Sequence, residues 1–115
     1  MRDIYIIGEP QKHNSIKQVL NGKLKPLCLA PNELNGNALQ SRTPMILLPW
    51  NGWREHLGIL IDGRRTLVVG DFNFFPHAEE HVLAGRCCFL RENCPPQIIF
   101  STITEILRQT DQLTW

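Results

Sequence analysis

Five short apolar runs alternate along the chain with stretches of helical periodicity, and this pattern allows few folds. The runs are Asp3–Ile7, Pro26–Ala30, Met45–Leu48, Thr66–Val69 and Cys87–Leu90. They are continuous rather than alternating, as is typical of parallel strands that are buried on both faces. The helical stretches are His13–Leu20, Asn51–Ile61, His77–Gly85 and Pro95–Gln109. The alternation therefore predicts an α/β fold, with a parallel sheet covered by helices on both faces.

The sequence does not decide the secondary structure of two segments. Residues Ile59–Val69 fit a helix followed by a strand, but they also fit a β-hairpin around Asp62-Gly63. The regular alternation favours the helix followed by the strand. The segment Asn32–Gln40 is rich in Asn and Gly, and it predicts at most a short, weak helix.

The last helical stretch has the clearest apolar face. Ile99, Ile103, Ile106 and Leu107 follow at spacings of four, three and one, so they lie on one side of a helix. Pro95 and Pro96 stand at its start, where proline is tolerated in the first turn. We expect this face to pack against the sheet.

Composition disfavours some classes of function but does not identify one. The chain has 115 residues, which predicts one domain, and a formal net charge of +1, which favours no nucleic-acid surface. No apolar run approaches the roughly 20 residues of a membrane span, and the N-terminus does not look like a signal peptide. We expect a cytoplasmic setting with the four cysteines reduced.

The stretch AGRCCFLRENCPPQIIFSTITEIL, Ala84–Leu107, resembles the end of receiver domains in response regulators of the NarL/LuxR class. The first strand, IYIIGEP, stands where such a domain carries an acidic pair. The resemblance covers nearly the whole chain and is weak between Asn21 and Arg42. It implies a flavodoxin-like (CheY-like) fold, whose five parallel strands follow the order 2-1-3-4-5 with helices on both faces.

The resemblance also implies that the phosphorylation pocket of a receiver is degenerate in this chain. At the positions of that pocket the chain carries Gly8, Glu9, Pro49, Gly70 (or, with a one-residue slip, Asp71) and Glu92. A receiver uses an aspartate nucleophile where Pro49 stands and a lysine where Glu92 stands. Since proline has no nucleophile and Glu92 repels a phosphoryl group, we expect no aspartyl phosphorylation and no enzyme activity.

Atypical receivers of this kind are similar to those of the CsgD- and VpsT-type biofilm transcription regulators. In that class a helix-turn-helix domain follows and binds DNA, and it is not found in residues 1–115. We therefore expect a regulatory domain that forms homodimers, either as a fragment or as a stand-alone protein. The resemblance implies no cofactor in this chain, although cyclic di-GMP would be the ligand to test in a full-length protein.

The candidate interface residues are Phe72, Phe74, Phe75, Gln109 and Trp115. The phenylalanines either form an exposed apolar patch or fold back into the space left by the missing active site. The last helix, Pro95–Gln109, is the first choice for the dimer surface. Trp53 is predicted to lie in the core, and Trp50 stands beside the degenerate pocket, where it would act as a plug.

Two other classes of function stay open. His77, His81, Cys87, Cys88 and Cys94 are metal-ligating residues close in sequence, and they form the set for a zinc or redox module. Their spacing matches no standard zinc motif, so the expectation is that no metal binds. A small α/β enzyme would instead gather Glu9, His56 and Asp71 at the carboxyl edge of the sheet, but nothing in their spacing favours that arrangement.

Overall fold

The computed structural model describes residues 2–20, 22–34, 43–61 and 64–112. Within these residues lie five strands and four α-helices, which alternate except that no α-helix is described between the second and third strands. The strands are β1 (Arg2–Ile7), β2 (Leu24–Leu29), β3 (Met45–Leu47), β4 (Thr66–Gly70) and β5 (Cys87–Arg91). The α-helices are α1 (His13–Leu20), α2 (Arg54–Ile61), α3 (Phe75–Leu83) and α4 (Pro96–Gln112). Short 3-10 turns cover Pro10–Lys12, Pro31–Glu33 and Phe72–Phe74.

The strands form one parallel sheet in the order β2-β1-β3-β4-β5. This is the predicted flavodoxin-like order, and it leaves β2 and β5 at the edges. Pro26 lies in the edge strand β2, where a missing N–H does not break a ladder on both sides. The order reverses direction between β1 and β3, at the position where open α/β sheets bind ligands.

Each face of the sheet is covered by its own pair of helices. On one face α1 and α4 pack over alternate strand residues, and the predicted stripe Ile99, Ile103, Ile106 and Leu107 is buried there. On the other face Tyr5, Met45 and Val68 pack with side chains of α2 and α3. Because successive strand residues point to opposite faces, the buried stretches of the inner strands must be apolar at nearly every position. That requirement explains their continuous apolar runs.

Two predictions about local structure have clear outcomes. The hairpin alternative for residues 59–69 is wrong, because α2 ends at Ile61 and β4 pairs in parallel with β3 and β5. The helix predicted over Asn51–Ile61 begins instead at Arg54, since Asn51, Gly52 and Trp53 form a turn. None of the helices in the described part of the chain has the length and apolarity of a membrane span. Most of the segment with the weak-helix prediction lies outside the described residues.

Candidate functional site at the carboxyl edge of the sheet

At the carboxyl edge of the sheet, two glycines pack against the residues that begin the β3–α2 loop. A Cβ on Gly8 would lie 2.6 Å from the Cβ of Leu48, and a Cβ on Gly70 would lie 2.8 Å from the Cδ of Pro49. Both Leu48 and Pro49 are buried. The backbone at Gly8 and Gly70 is therefore in direct contact with the two residues that follow β3. The ring of Pro49 occupies space beside β4 that a side chain at position 70 would need.

The carboxylates predicted for this edge have local partners or point to solvent. A Glu9 oxygen accepts a hydrogen bond from Gln11 Nε2 at 2.7 Å. Asp71 accepts one from the backbone N–H of Asn73 at 2.9 Å, which caps the 3-10 turn that follows β4. Glu92 is exposed. Across the described ranges, His, Cys, Asp and Glu residues form no group of three that could hold a metal ion.

His13 is a buried polar residue that the sequence did not single out. The residue is 7% exposed, and its imidazole Nε2 lies 2.8 Å from the carbonyl oxygen of Gly8. Because a carbonyl only accepts hydrogen bonds, Nε2 carries the proton and donates. The bond fixes the first turn of α1 against the end of β1. No sequence signal marked this residue, since the pairing depends on the path of the β1–α1 loop.

Charged residues border a small cavity on the α1 face of this edge. The cavity has a volume of about 120 Å³, and its lining is Lys12, Ser15, Ile16, Leu48, Val69 and Glu92. Its floor is apolar, with the ammonium of Lys12 contributed from the β1 side and the carboxylate of Glu92 from the β5 side. The charges stand in the reverse order of the receiver pattern, where the acids follow the first strand and the lysine follows the fifth.

A larger cleft opens on the α2 and α3 face of the same edge. It has a volume of about 520 Å³ and is lined by Trp50, Asn51, Gly52, Trp53, Arg54, Glu55, Phe74 and His77. Trp53 is in the core, as predicted, and Trp50 is buried beside it, with its ring centroid 6.1 Å from that of His56. The sequence did not predict this cleft, because its walls come from two loops that only the sheet order makes neighbours.

The three phenylalanines after β4, Phe72, Phe74 and Phe75, do not share one arrangement: each of the two predicted arrangements holds for some of them. Phe74 turns inward, where its ring meets Trp53 edge-on at 5.9 Å and lies beside Gly70. Phe72 turns outward, stays 48% exposed and stacks on Phe75 at 5.2 Å, with the guanidinium of Arg91 4.5 Å above its ring. The patch is therefore built from Phe72 and Phe75 without Phe74. The side chain of Gln109 and all of Trp115 lie outside the described residues.

The alternative zinc set is spread over both faces of the sheet. Cys87 is buried with the α2 and α3 core, whereas Cys94 packs against the α1 and α4 core and Cys88 is exposed. His81 Nδ1 lies 3.0 Å from an Arg86 nitrogen and accepts its hydrogen bond, while His77 lines the large cleft. Burial raises the pKa of the Cys87 thiol from 9.0 to about 11, and the neighbouring Cys88 adds to that rise. A buried, protonated thiol is a poor metal ligand and a poor nucleophile.

The residues of the enzyme alternative also do not converge. His56, on α2, packs against Trp50, while Glu9 accepts a hydrogen bond from Gln11 and Asp71 accepts one from Asn73.

Comparison with known proteins gave no match to any protein-family model, any curated protein or any solved structure. The fold defines the chain as a flavodoxin-like α/β domain, and the receiver resemblance stays a prediction.

Proposed function

We propose that this chain is the regulatory and dimerisation domain of a LuxR-type bacterial transcription regulator, acting in the cytoplasm without aspartyl phosphorylation. The observation that carries the proposal is the contact between the Pro49 ring and the backbone of Gly70 at the carboxyl edge. In a receiver this space holds a phosphorylated aspartate and its hydroxyl partner. Here it is filled by proline, in a sheet with the strand order of that fold.

The residues around Pro49 also oppose phosphoryl transfer. That reaction depends on positioning and on positive charge around the phosphoryl oxygens. Glu92 brings a negative charge to the place of the lysine, and a Gly8 side chain is excluded by Leu48. The domain would therefore signal through a change of partner or ligand, since no group at this edge offers an attacking oxygen where Pro49 stands.

The exposed aromatic patch supports the dimerisation part of the proposal. Phe72 and Phe75 stack on each other and meet Phe89 of the edge strand β5 edge-on. Exposed apolar side chains grouped with an arginine are typical of interfaces, where aromatic residues and arginine are enriched. A two-fold symmetric pair would bury the patch of each copy against its partner.

Native mass spectrometry tests both parts of this proposal. We expect dimers of the purified chain, and no phosphoryl adduct after incubation with acetyl phosphate and Mg²⁺. The variant Phe72→Asp should be monomeric with a retained cooperative melt, because the ring is half exposed and its loss leaves the core intact. Ser101→Asp, on the exposed side of α4, is the matched control and should still dimerise. A phosphoryl adduct on the natural chain, or an unchanged dimer in Phe72→Asp, would overturn the corresponding part.

A further inference from the structure

The outer side of the edge strand β5 has no strand partner within the described residues. The strand pairs only with β4, and just after it the N–H of Glu92 donates to the carbonyl oxygen of Gly70 at 3.1 Å. Backbone groups of successive strand residues point to alternate sides, so every second residue of β5 turns its N–H and C=O away from β4. The residues that face outward in this way are Cys87, Phe89 and Arg91.

The two edge strands differ in the features that oppose pairing with another strand. Lys25 and Pro26 stand in β2, and both charge and proline protect an edge. The centre of β5, Cys88–Leu90, holds neither. Its residues are exposed or half-buried. An edge without such protection is a template for a further strand, and β5 is therefore the edge at which a second chain extends the sheet.

The charges at the two ends of β5 select a second copy of the same chain as that partner. Arg86 precedes the strand and Glu92 follows it, and both are exposed. When two copies of β5 run antiparallel about a two-fold axis at Phe89, Arg86 of each copy stands opposite Glu92 of the other. Opposite charges at facing positions stabilise an antiparallel pair. Arg86 also donates to His81 Nδ1 at 3.0 Å, and its guanidinium has further N–H groups for a carboxylate.

We propose that two copies of the chain dimerise by antiparallel pairing of β5 with β5, which joins their sheets into one. This pairing rests on the proposed dimerisation and deepens it. Phe89 N–H of each copy donates to the Phe89 carbonyl of the other, and Arg91 N–H donates to the Cys87 carbonyl. The carbonyl of Arg91 takes no part, because it accepts from Cys94 N–H at 3.1 Å.

The same two-fold axis unites the aromatic patches of the two copies. It brings the two Phe89 rings to directly opposite positions, where aromatic pairs are favourable. Phe72 and Phe75 meet Phe89 edge-on within each copy, so the patch of each copy continues into that of the other.

Reversal of single charges tests this register. Arg86→Glu places like charges opposite each other on both sides of the axis, so it should raise the dimer dissociation constant in analytical ultracentrifugation roughly tenfold. Glu92→Arg should raise it by a similar factor, and both changes together should restore the natural value. Arg54→Glu on α2 is the matched control, with the same change in net charge, and should dimerise like the natural chain. These variants should keep the cooperative melt, since the changed side chains are exposed.

Amide hydrogen exchange followed by NMR tests the backbone pairing. At concentrations where the monomer dominates, the amides of Phe89 and Arg91 should exchange fast, whereas those of Cys88 and Leu90 are protected by β4. In the dimer the amides of Phe89 and Arg91 should exchange roughly tenfold more slowly, and the alternation along β5 should fade.

Each part of the proposal has a result that overturns it. In a chain that is dimeric by mass, unchanged exchange at Phe89 and Arg91 removes the strand pairing alone. Charge reversals that leave the dissociation constant unchanged, or a double variant no tighter than the single ones, exclude the register about Phe89. A chain that stays monomeric at millimolar concentration removes the proposed dimerisation, and the pairing with it.

Discussion

At the scale of single residues, the contact between Gly70 and Pro49 gives a direct prediction. Gly70→Ala places a Cβ 2.8 Å from Pro49 Cδ and 2.9 Å from its Cγ. Overpacking of this kind typically costs about 1–3 kcal/mol. Urea unfolding should show that loss of stability, and Pro49→Ala in the same chain should recover part of it, because the two positions share one space.

Gly58 provides the matched control for that prediction. It lies on the exposed side of α2, and among the described residues a Cβ there would meet no heavy atom within 4 Å apart from the helix backbone and its chain neighbours. Since glycine inside a helix is less favourable than alanine by roughly 0.5–1 kcal/mol, Gly58→Ala should stabilise the protein by that amount. Equal effects at positions 58 and 70 would contradict the proposed contact with Pro49.

Cys87 predicts a pH dependence of stability in the alkaline range. Burial raises the pKa of its thiol in the folded protein from 9.0 to about 11. Between these values the unfolded chain loses a proton that the folded chain keeps, so stability falls as the pH rises from about 9 to about 11. Chemical unfolding at several pH values should show this fall, and the fall should be smaller in Cys87→Ser.

Iodoacetamide at pH 8 should modify the exposed Cys88 well before Cys87.

At the scale of elements, substitutions at two neighbouring residues of α4 test the predicted register of the helix. Ile99 is 4% exposed and belongs to the core, whereas Ile98 is 46% exposed. Ile99→Asp removes a buried side chain, which costs about 2–5 kcal/mol even for alanine, and it buries a charge as well. We expect Ile99→Asp to abolish the cooperative melt followed by circular dichroism. Ile98→Asp should melt like the natural chain.

Elements with a strong period could be predicted from the sequence, and contacts between loops could not. The continuous runs of β1, β3 and β4 predicted parallel strands, and the stripe on α4 predicted its buried face. The order of the strands in the sheet was an expectation from the resemblance to receiver domains. The start of α2 was missed by three residues, because Gly52 adopts a positive φ of 92° within the turn before the helix. The inward turn of Phe74 and the bond from His13 to Gly8 depend on loop paths, and no local pattern encodes them.

At the carboxyl edge, too, the residue types could be read from the sequence, whereas the contacts between them could not. The sequence showed that Pro49 stands where the resemblance to receiver domains would place an aspartate. The sequence did not show that Gly8 and Gly70 are the residues that make room for Leu48 and Pro49. That relation couples positions at the carboxyl ends of three strands, and only the packed sheet brings them together. The cleft beside it, with Arg54 and Glu55, follows from the same adjacency.

At the scale of the whole molecule, the proposed dimer predicts a difference in amide-hydrogen exchange between the two edges of the sheet. Inner strands exchange their amide hydrogens mainly through global unfolding, whereas edge strands exchange through local opening as well. At low protein concentration β2 and β5 should therefore exchange faster than β1, β3 and β4. At high concentration we expect β5 to slow down, because it carries Phe89 of the aromatic patch, while β2 at the opposite edge stays unchanged.

Hydrogen exchange followed by mass spectrometry at two protein concentrations measures this difference, with Phe72→Asp as the control. In that variant β5 should exchange at the low-concentration rate under both conditions, since the dimer is lost while the sheet remains. Slower exchange of β2 at high concentration would place the interface at the other edge. Concentration-independent exchange of both edges, in a chain that is dimeric by mass, would place the contact on helical surfaces, of which α4 was the first choice from the sequence.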